Sequence, residues 1–148
     1  MINDRPGSAD EVKADLQVGV QWKGGWRFSA AKAGTPPILM DGHSADGPTP
    51  PETLIGALAA CTGIDVVEIL TKRKTPPASV DIDVTAERAT TSPRRIMKVH
   101  LGYRIVGVGI DRAQAERAIE LATTKYCTVR DSLDPNMPVT WSLDLREA

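Results

Sequence analysis

Apolar residues recur along this chain with two different periods, and the changes of period mark out its elements. From Val12 to Trp22 the alternation is strict: Val12, Ala14, Leu16, Val18, Val20 and Trp22 against Lys13, Asp15, Gln17, Gly19 and Gln21. A period of two predicts a half-buried strand. Lys23-Gly24-Gly25 then supplies a turn, and Trp26-Arg27-Phe28-Ser29 begins the return strand of a hairpin. That phase puts Trp26 and Phe28 toward the core and Arg27 on the other face. Past the Gly34-Thr35-Pro36-Pro37 loop, Ile38-Leu39-Met40 predicts a short strand, and Asp41 to Pro48 a loop.

At residue 49 the pattern becomes helical. Thr49 stands three residues before Glu52, with Pro50 at the first helical position, which is a capping box. The run continues to Leu70, Lys72-Arg73-Lys74 places cations at the negative end of the helix dipole, and Pro76-Pro77 ends it. Its apolar residues (Leu54, Ile55, Leu58, Ile64, Val66, Val67, Ile69 and Leu70) go nearly all the way round. A helix apolar on most sides is buried on most sides, and the rest of one chain would struggle to cover it. The pattern therefore predicts a partner copy, with a large apolar interface. Cys61 lies in the middle of this helix among alanines.

Period two returns with Val80, Ile82, Val84 and Ala86, turns at Thr90-Thr91-Ser92-Pro93, and resumes over Ile96–Val106. There Met97, Val99, Leu101, Tyr103 and Ile105 share one face, and Lys98, His100 and Arg104 the other. Together these predict an antiparallel hairpin with one solvated side. Asp111 and Gln114 form a second capping pattern opening a helix over roughly Arg112 to Tyr126, with Ala115, Ala118, Ile119, Ala122 and Tyr126 on one side. Cys127 falls at its end, Thr128–Leu133 reads as a further helical turn, and Val139, Trp141, Leu143 and Leu145 make a last strand. Clustered, hairpin-linked strands with few helices give an α+β fold. Residues 1–10 are expected to be a disordered tail and residues 11–148 a single domain.

Composition narrows the function. A net charge of −1 over 148 residues offers no electrostatic footprint for nucleic acid or anionic membrane. No uninterrupted apolar run reaches the length of a transmembrane span, and the N-terminus lacks the regions of a signal peptide, so a cytoplasmic protein is expected. In that compartment Cys61 and Cys127 are not a constitutive staple. The bland reading makes both thiols inert core residues. A zinc site of Cys61, Cys127, His43 and His100 lacks short ligand spacings, and His100 falls on the polar face of its strand. Gly24-Gly25 precedes no helix, so it is no phosphate loop.

A redox thiol pair remains. A reactive thiolate needs positive potential, yet Asp65, one turn beyond Cys61, and Glu68, two turns beyond, carry the opposite sign. A cation must come from elsewhere, and Arg27 is the best candidate. Glu52, accounted for by the capping box, projects from roughly the opposite side of an ideal helix to Cys61.

The run Pro-Glu-x-Leu-x-x-x-Leu-x-x-Cys-Thr-x-Ile-Asp-Val-Val-x-Ile-Leu at 51–70 resembles the osmotically inducible and organic hydroperoxide resistance family, OsmC/Ohr. Ala-Ile-Glu-Leu-Ala-x-x-Lys-Tyr-Cys-x-Val at 118–129, Gln-Trp-x-Gly-Gly-x-x-Phe at 21–28 and Met40-Asp41-Gly42 resemble it too, in the right order. The Cys-Thr-Gly-Ile-Asp-Val-Val segment is most similar to a less characterised branch of redox proteins. The resemblance implies an OsmC-like fold in an intertwined homodimer, with the Cys-bearing helices central and two thiol sites at the subunit interface. It also implies hydroperoxide reduction in oxidative-stress defence, without metal, flavin or haem. Cys61 would be the attacking thiol and Cys127 the resolving one, their disulfide reduced by an external dithiol such as a lipoyl group. Arg27 and Glu52 would supply the activating network, although the peroxidase branch has its Glu at the position occupied here by Pro51. The competing expectation is a non-catalytic stress or binding protein with an apolar ligand cleft at the dimer interface.

Overall fold

A computed structural model describes residues 15–148. The tail expected at residues 1–10 and the strand positions Val12 and Ala14 lie outside the described residues. The chain forms two compact units, Met1–Thr49 and Pro50–Ala148.

The first unit is an antiparallel sheet in the order β1 (Gly19–Trp22), β2 (Arg27–Ala31), β3 (Ile38–Asp41). Gly24 and Gly25, both at positive φ, make the hairpin turn at no steric cost, and Lys23 donates its N–H to the Arg27 carbonyl at 2.9 Å. β1 is shorter than the alternation from Val12 predicts, because Gly19 already pairs with Ala31, the last residue of β2. Beyond that pair no strand remains to bond with, and Leu16 and Val18 are exposed. The register stacks Val20, Ala30 and Ile38 in one row and Trp22, Phe28 and Met40 in the next, so a single face carries the apolar residues. Neither Trp26 nor Phe28 is in a core, contrary to the pattern-based expectation: they are 65% and 43% exposed, and Trp22 is 66% exposed. Trp26 belongs to the turn, where its ring stacks on His43 at 4.5 Å and leaves Gly42 no room for a Cβ. Phe28 does face the apolar side, but a sheet face is buried only by a second layer, and none of the described elements of this unit supplies one.

The second unit packs α1 (Pro50–Lys72) on a sheet ordered β4 (Ser79–Arg88), β5 (Ile96–Gly107), β6 (Val139–Glu147). α1 buries one column, Leu58, Thr62, Val66 and Leu70, together with Ala59 and Gly63. Gly63 allows the close approach: a Cβ there would meet Ile82 at 3.1 Å. Each fully buried Leu or Val contributes about 1.5–3 kcal/mol of transfer free energy. The other sides of α1 stay open, with Leu54, Val67 and the 67%-exposed Ile64 in solvent. Burial on most sides is therefore not achieved within this unit, because it has layers for one side only. α1 ends without glycine: Thr75 donates to the Leu70 carbonyl and Lys74 to Thr71, with Lys74 at φ 64°. With mean hydropathy 1.8 over its best 18-residue window, α1 is long and apolar enough by composition to cross a membrane, although Asp65 and Glu68 interrupt its apolar run. The core helix of a folded unit passes the same test, and Leu58, Val66 and Leu70 are fully buried here.

β4 and β5 pair antiparallel, as the alternation predicts. Between the Glu87–Lys98 and Arg88–Ile96 pairs, β5 carries one extra residue, Met97. That bulge reverses the phase, so Met97 is exposed while Ile96 packs against the core. The chain then leaves through α2 (Arg112–Leu121), capped by Asp111 accepting from the Gln114 N–H, and returns as β6 parallel to β5. Trp141, Leu143 and Leu145 of β6 pack against the same core.

Candidate functional site: a thiol pair between two helices

The structure brings Cys61 and Cys127 together. Cys61 projects half-buried from the middle of α1, close enough to act electrostatically on Cys127, which is only 3% exposed. Local backbone chemistry explains how Cys127 gets there. α2 does not continue regularly: residues Ala122–Tyr126 form a π-helical turn in which the Cys127 N–H reaches back five residues to the Ala122 carbonyl at 3.1 Å. A wide turn accommodates one residue more than an α-turn. The predicted buried stripe therefore holds at Ala115, Ala118, Ile119 and Ala122 but fails at Tyr126, which is 50% exposed, and Cys127 takes the inward position.

Cys127 is extended, and its sulfur accepts the Arg130 N–H at 3.3 Å, capping α3 (Thr128–Asp131). The Arg130 guanidinium is committed elsewhere, donating to the carbonyls of Asp134 at 3.0 Å and Met137 at 2.9 Å. Burial pushes the Cys127 thiol up to about 11; the Arg130 N–H opposes this, and Cys61 adds to it. Left alone, Cys127 is a thiol at neutral pH.

Around the pair sit polar groups that the hydrophobic pattern gives no reason to single out. Tyr103 on β5, predicted only as a core residue, donates its hydroxyl to Thr62 at 2.5 Å, and Thr62 donates to the Ala59 carbonyl. Both are buried, and desolvation raises the Tyr103 phenol to about 12. The available signal was a phenol on an all-apolar strand face, which needs a partner when buried. Of the two carboxylates expected to press on Cys61, Glu68 is exposed and paired with Lys72 at 2.7 Å, which lowers its pKa. Asp65 differs. Desolvation and then Glu68 raise its pKa, and its Oδ2 is buried with no hydrogen-bond partner among the described residues.

The other sequence-predicted positions are placed less tightly. Arg27 at the start of β2 is paired with Asp46 at 3.4 Å and donates to the Lys23 carbonyl, also at 3.4 Å. Glu52 is in the first turn of α1. His43 stacks on Trp26, and His100 lies on the outer sheet face against Thr140 at 2.7 Å and Ser142 at 3.1 Å.

Comparison with known proteins adds the lineage. A family model described as OsmC-like protein matches residues 42–142. Protein YhfA of Escherichia coli K12 is 33% identical over 131 residues, spanning 88% of this chain and 98% of YhfA. A hypothetical protein from Aquifex aeolicus VF5 has a solved structure 25% identical in sequence, with TM-score 0.74 over 91% of this chain and 98% of that one. The organic hydroperoxide resistance protein OhrB of Bacillus subtilis, 16% identical, shares the fold with TM-score 0.59 over 88% and 100% of the two chains.

Proposed function

The chain belongs to the OsmC-like family, and from that premise we propose that it is a thiol-dependent reductase of organic hydroperoxides. The observation that carries the proposal is the contact between the Cys61 and Cys127 side chains, far apart in sequence and joined in the fold. In this reading the half-buried Cys61 is the thiol a peroxide reaches. Its thiolate attacks the O–O bond, releases an alcohol and becomes sulfenic acid. Cys127 then attacks that sulfur, water leaves, and the resulting disulfide is re-reduced by an external dithiol, for which the family resemblance suggests a lipoyl group. Two further assignments belong to this reading: Arg27 as the cation that the Asp65 and Glu68 charge beside Cys61 calls for, and Glu52, by the resemblance alone, as its acidic partner. The hydroperoxide resistance protein among the fold relatives is in keeping with this chemistry.

The protein acts, in the same reading, as a homodimer. Support comes from the apolar side chains left in solvent, Trp22, Phe28 and Ile38 on the first sheet and Leu54, Ile64 and Val67 on α1. Between α1 and β4, Ile64, Val67, Val80 and Ile82 line an apolar groove of about 560 Å³. Sedimentation at micromolar concentration is expected to give twice the 15.9 kDa chain mass.

The deciding experiment treats reduced protein with one equivalent of cumene hydroperoxide. Two free thiols should become one intrachain disulfide by intact mass and peptide mapping, and an added dithiol should sustain turnover. Thiols left untouched by every hydroperoxide would overturn the proposal. They would favour a binding protein, whose ligand site would be the apolar cavity of about 260 Å³ bounded by Leu54, Ile55, Val99, Leu133 and Met137.

A further inference from the structure

Asp65 is the one ionisable group of the second unit with a buried oxygen that no donor satisfies. A buried polar atom without a partner needs a physical account, because leaving it so costs free energy. Its position supplies one. On a helix, side chains four residues apart lie one above the other, about 5–6 Å between Cβ atoms, so Asp65 stands over Cys61. The other groups around it are otherwise engaged. Glu68 is held by Lys72 at 2.7 Å, the Tyr103 hydroxyl by Thr62, and Cys127 by the Arg130 N–H. Arg73 and Tyr126 line the same cavity, of about 610 Å³, that Asp65 borders.

We propose that Asp65 is the proton-transfer partner of Cys61, taking the thiol proton as the thiolate forms and delivering it to the leaving oxygen of the hydroperoxide. This rests on the reading of Cys61 as the attacking thiol. The step balances. The Cys61 S–H proton passes to the carboxylate, and the thiolate attacks the terminal oxygen of R–O–O–H. The S–O bond forms as the O–O bond breaks, sulfur is oxidised to sulfenic acid, and the departing RO⁻ takes the proton from Asp65 to leave as ROH. The arrangement also resolves the unfavourable charge beside Cys61. With the proton on Asp65, the two side chains carry one negative charge between them, not two. Desolvation, which raises the Asp65 carboxyl, favours that sharing.

The test compares two reactions of the same thiol in pre-reduced full-length protein. Alkylation by iodoacetamide needs the thiolate but no acid for a leaving alkoxide, whereas reduction of cumene hydroperoxide needs both. In Asp65→Asn, alkylation of Cys61 should proceed at least as fast as in the parent, while the single-turnover peroxide rate falls about a hundredfold, as for loss of a general acid–base group. Asp65→Glu should recover part of the loss, and Glu68→Gln, which removes a carboxylate already paired with Lys72, should change the peroxide rate less than about threefold. If the peroxide rate in Asp65→Asn rises in step with alkylation, Asp65 is only a repelling anion and the proposal fails. If Asp65→Asn does not fold, the parent decides: a slower peroxide rate in D2O than in H2O supports the proton transfer, and equal rates overturn it. If the parent reduces no hydroperoxide, the functional reading falls separately, and the alkylation pH profile then judges Asp65. Two titration steps in the parent that collapse to one in Asp65→Asn support a shared proton, and one step in both overturns it.

Discussion

Cys61 stands in the middle of an uninterrupted helix of 23 residues, whereas Cys127 stands where a helix has come apart. The first thiol is half-buried on a continuous helix, with Asp65 one turn away. The second is nearly sealed from solvent, presented by a π turn and tied through its sulfur to the backbone of α3. The same functional group thus meets two electrostatic situations. Burial keeps Cys127 protonated, with its thiol at about 11, so it is a poor first attacker whatever its neighbour does. Of the two thiols, Cys61 is the more accessible. That difference in placement is what the proposed division between attack and resolution rests on.

The sharpest way to break the comparison is to remove each sulfur. Cys61→Ser should lose the fast peroxide reaction by about a thousandfold or more, as expected for a missing nucleophile. Cys127→Ser should keep the first step, stall as Cys61 sulfenic acid and overoxidise with excess peroxide, read by intact mass. Equal rates in the two variants would erase the distinction. A finer cut moves one thiol by one place. In the double variant Tyr126→Cys with Cys127→Ala, the sulfur sits where the π turn points side chains outward, and no intrachain disulfide should form on oxidation.

Smaller effects concern stability. A thiol whose folded pKa is raised binds its proton more tightly folded than unfolded, so its contribution is fully present below the unfolded value. For Cys127 that contribution is lost as pH rises from 9.0 to about 11. The unfolding free energy of reduced parent protein, from denaturant titration, should fall across that window by about 2–3 kcal/mol, at 1.36 kcal/mol per pKa unit, relative to Cys127→Ala at the same pH. A parallel decline in both proteins would mean the thiol is not the cause. Smallest of all is Tyr103→Phe, which keeps the ring and removes the bond to Thr62. A loss of about 1 kcal/mol is expected in a denaturation curve, since Thr62 retains the Ala59 carbonyl.

The same contrast explains what the sequence does and does not disclose. Pro50, Glu52 and the Pro76-Pro77 stop mark α1 almost to the residue, and alternation alone locates β4 and the buried face of β5. Those signals are chemical: caps, breakers and a period of two. Met97 and Tyr126 are misplaced for one shared reason. A bulge and a π turn each insert a single residue and shift the phase of everything beyond it, leaving no mark in composition. Trp22, Phe28 and Ile64 are misjudged differently. Periodicity reports which side chains favour burial, but not whether their own chain has a layer to bury them. At the candidate site, Cys61 and Cys127 were legible as sulfur, and the salt bridge of Glu68 was readable from Lys72 at i+4. The Tyr103–Thr62 bond was not, because it depends on how α1 lies across β5.

The cap on α3 is a sulfur atom, and a thiol can be chemically modified where an ordinary capping oxygen cannot. When the Cys127 sulfur is alkylated or joined to Cys61, the acceptor offered to the Arg130 amide changes with it, and Arg130 in turn holds the carbonyls of residues 134, 135 and 137. Whatever free energy the sulfur's new state withdraws from that amide is withdrawn from the loop as well, and by reciprocity a change that loosens the loop alters how readily the sulfur reacts. Exchange of the Arg130 amide with solvent deuterium is thus a readout of thiol chemistry from a backbone group that takes no part in it.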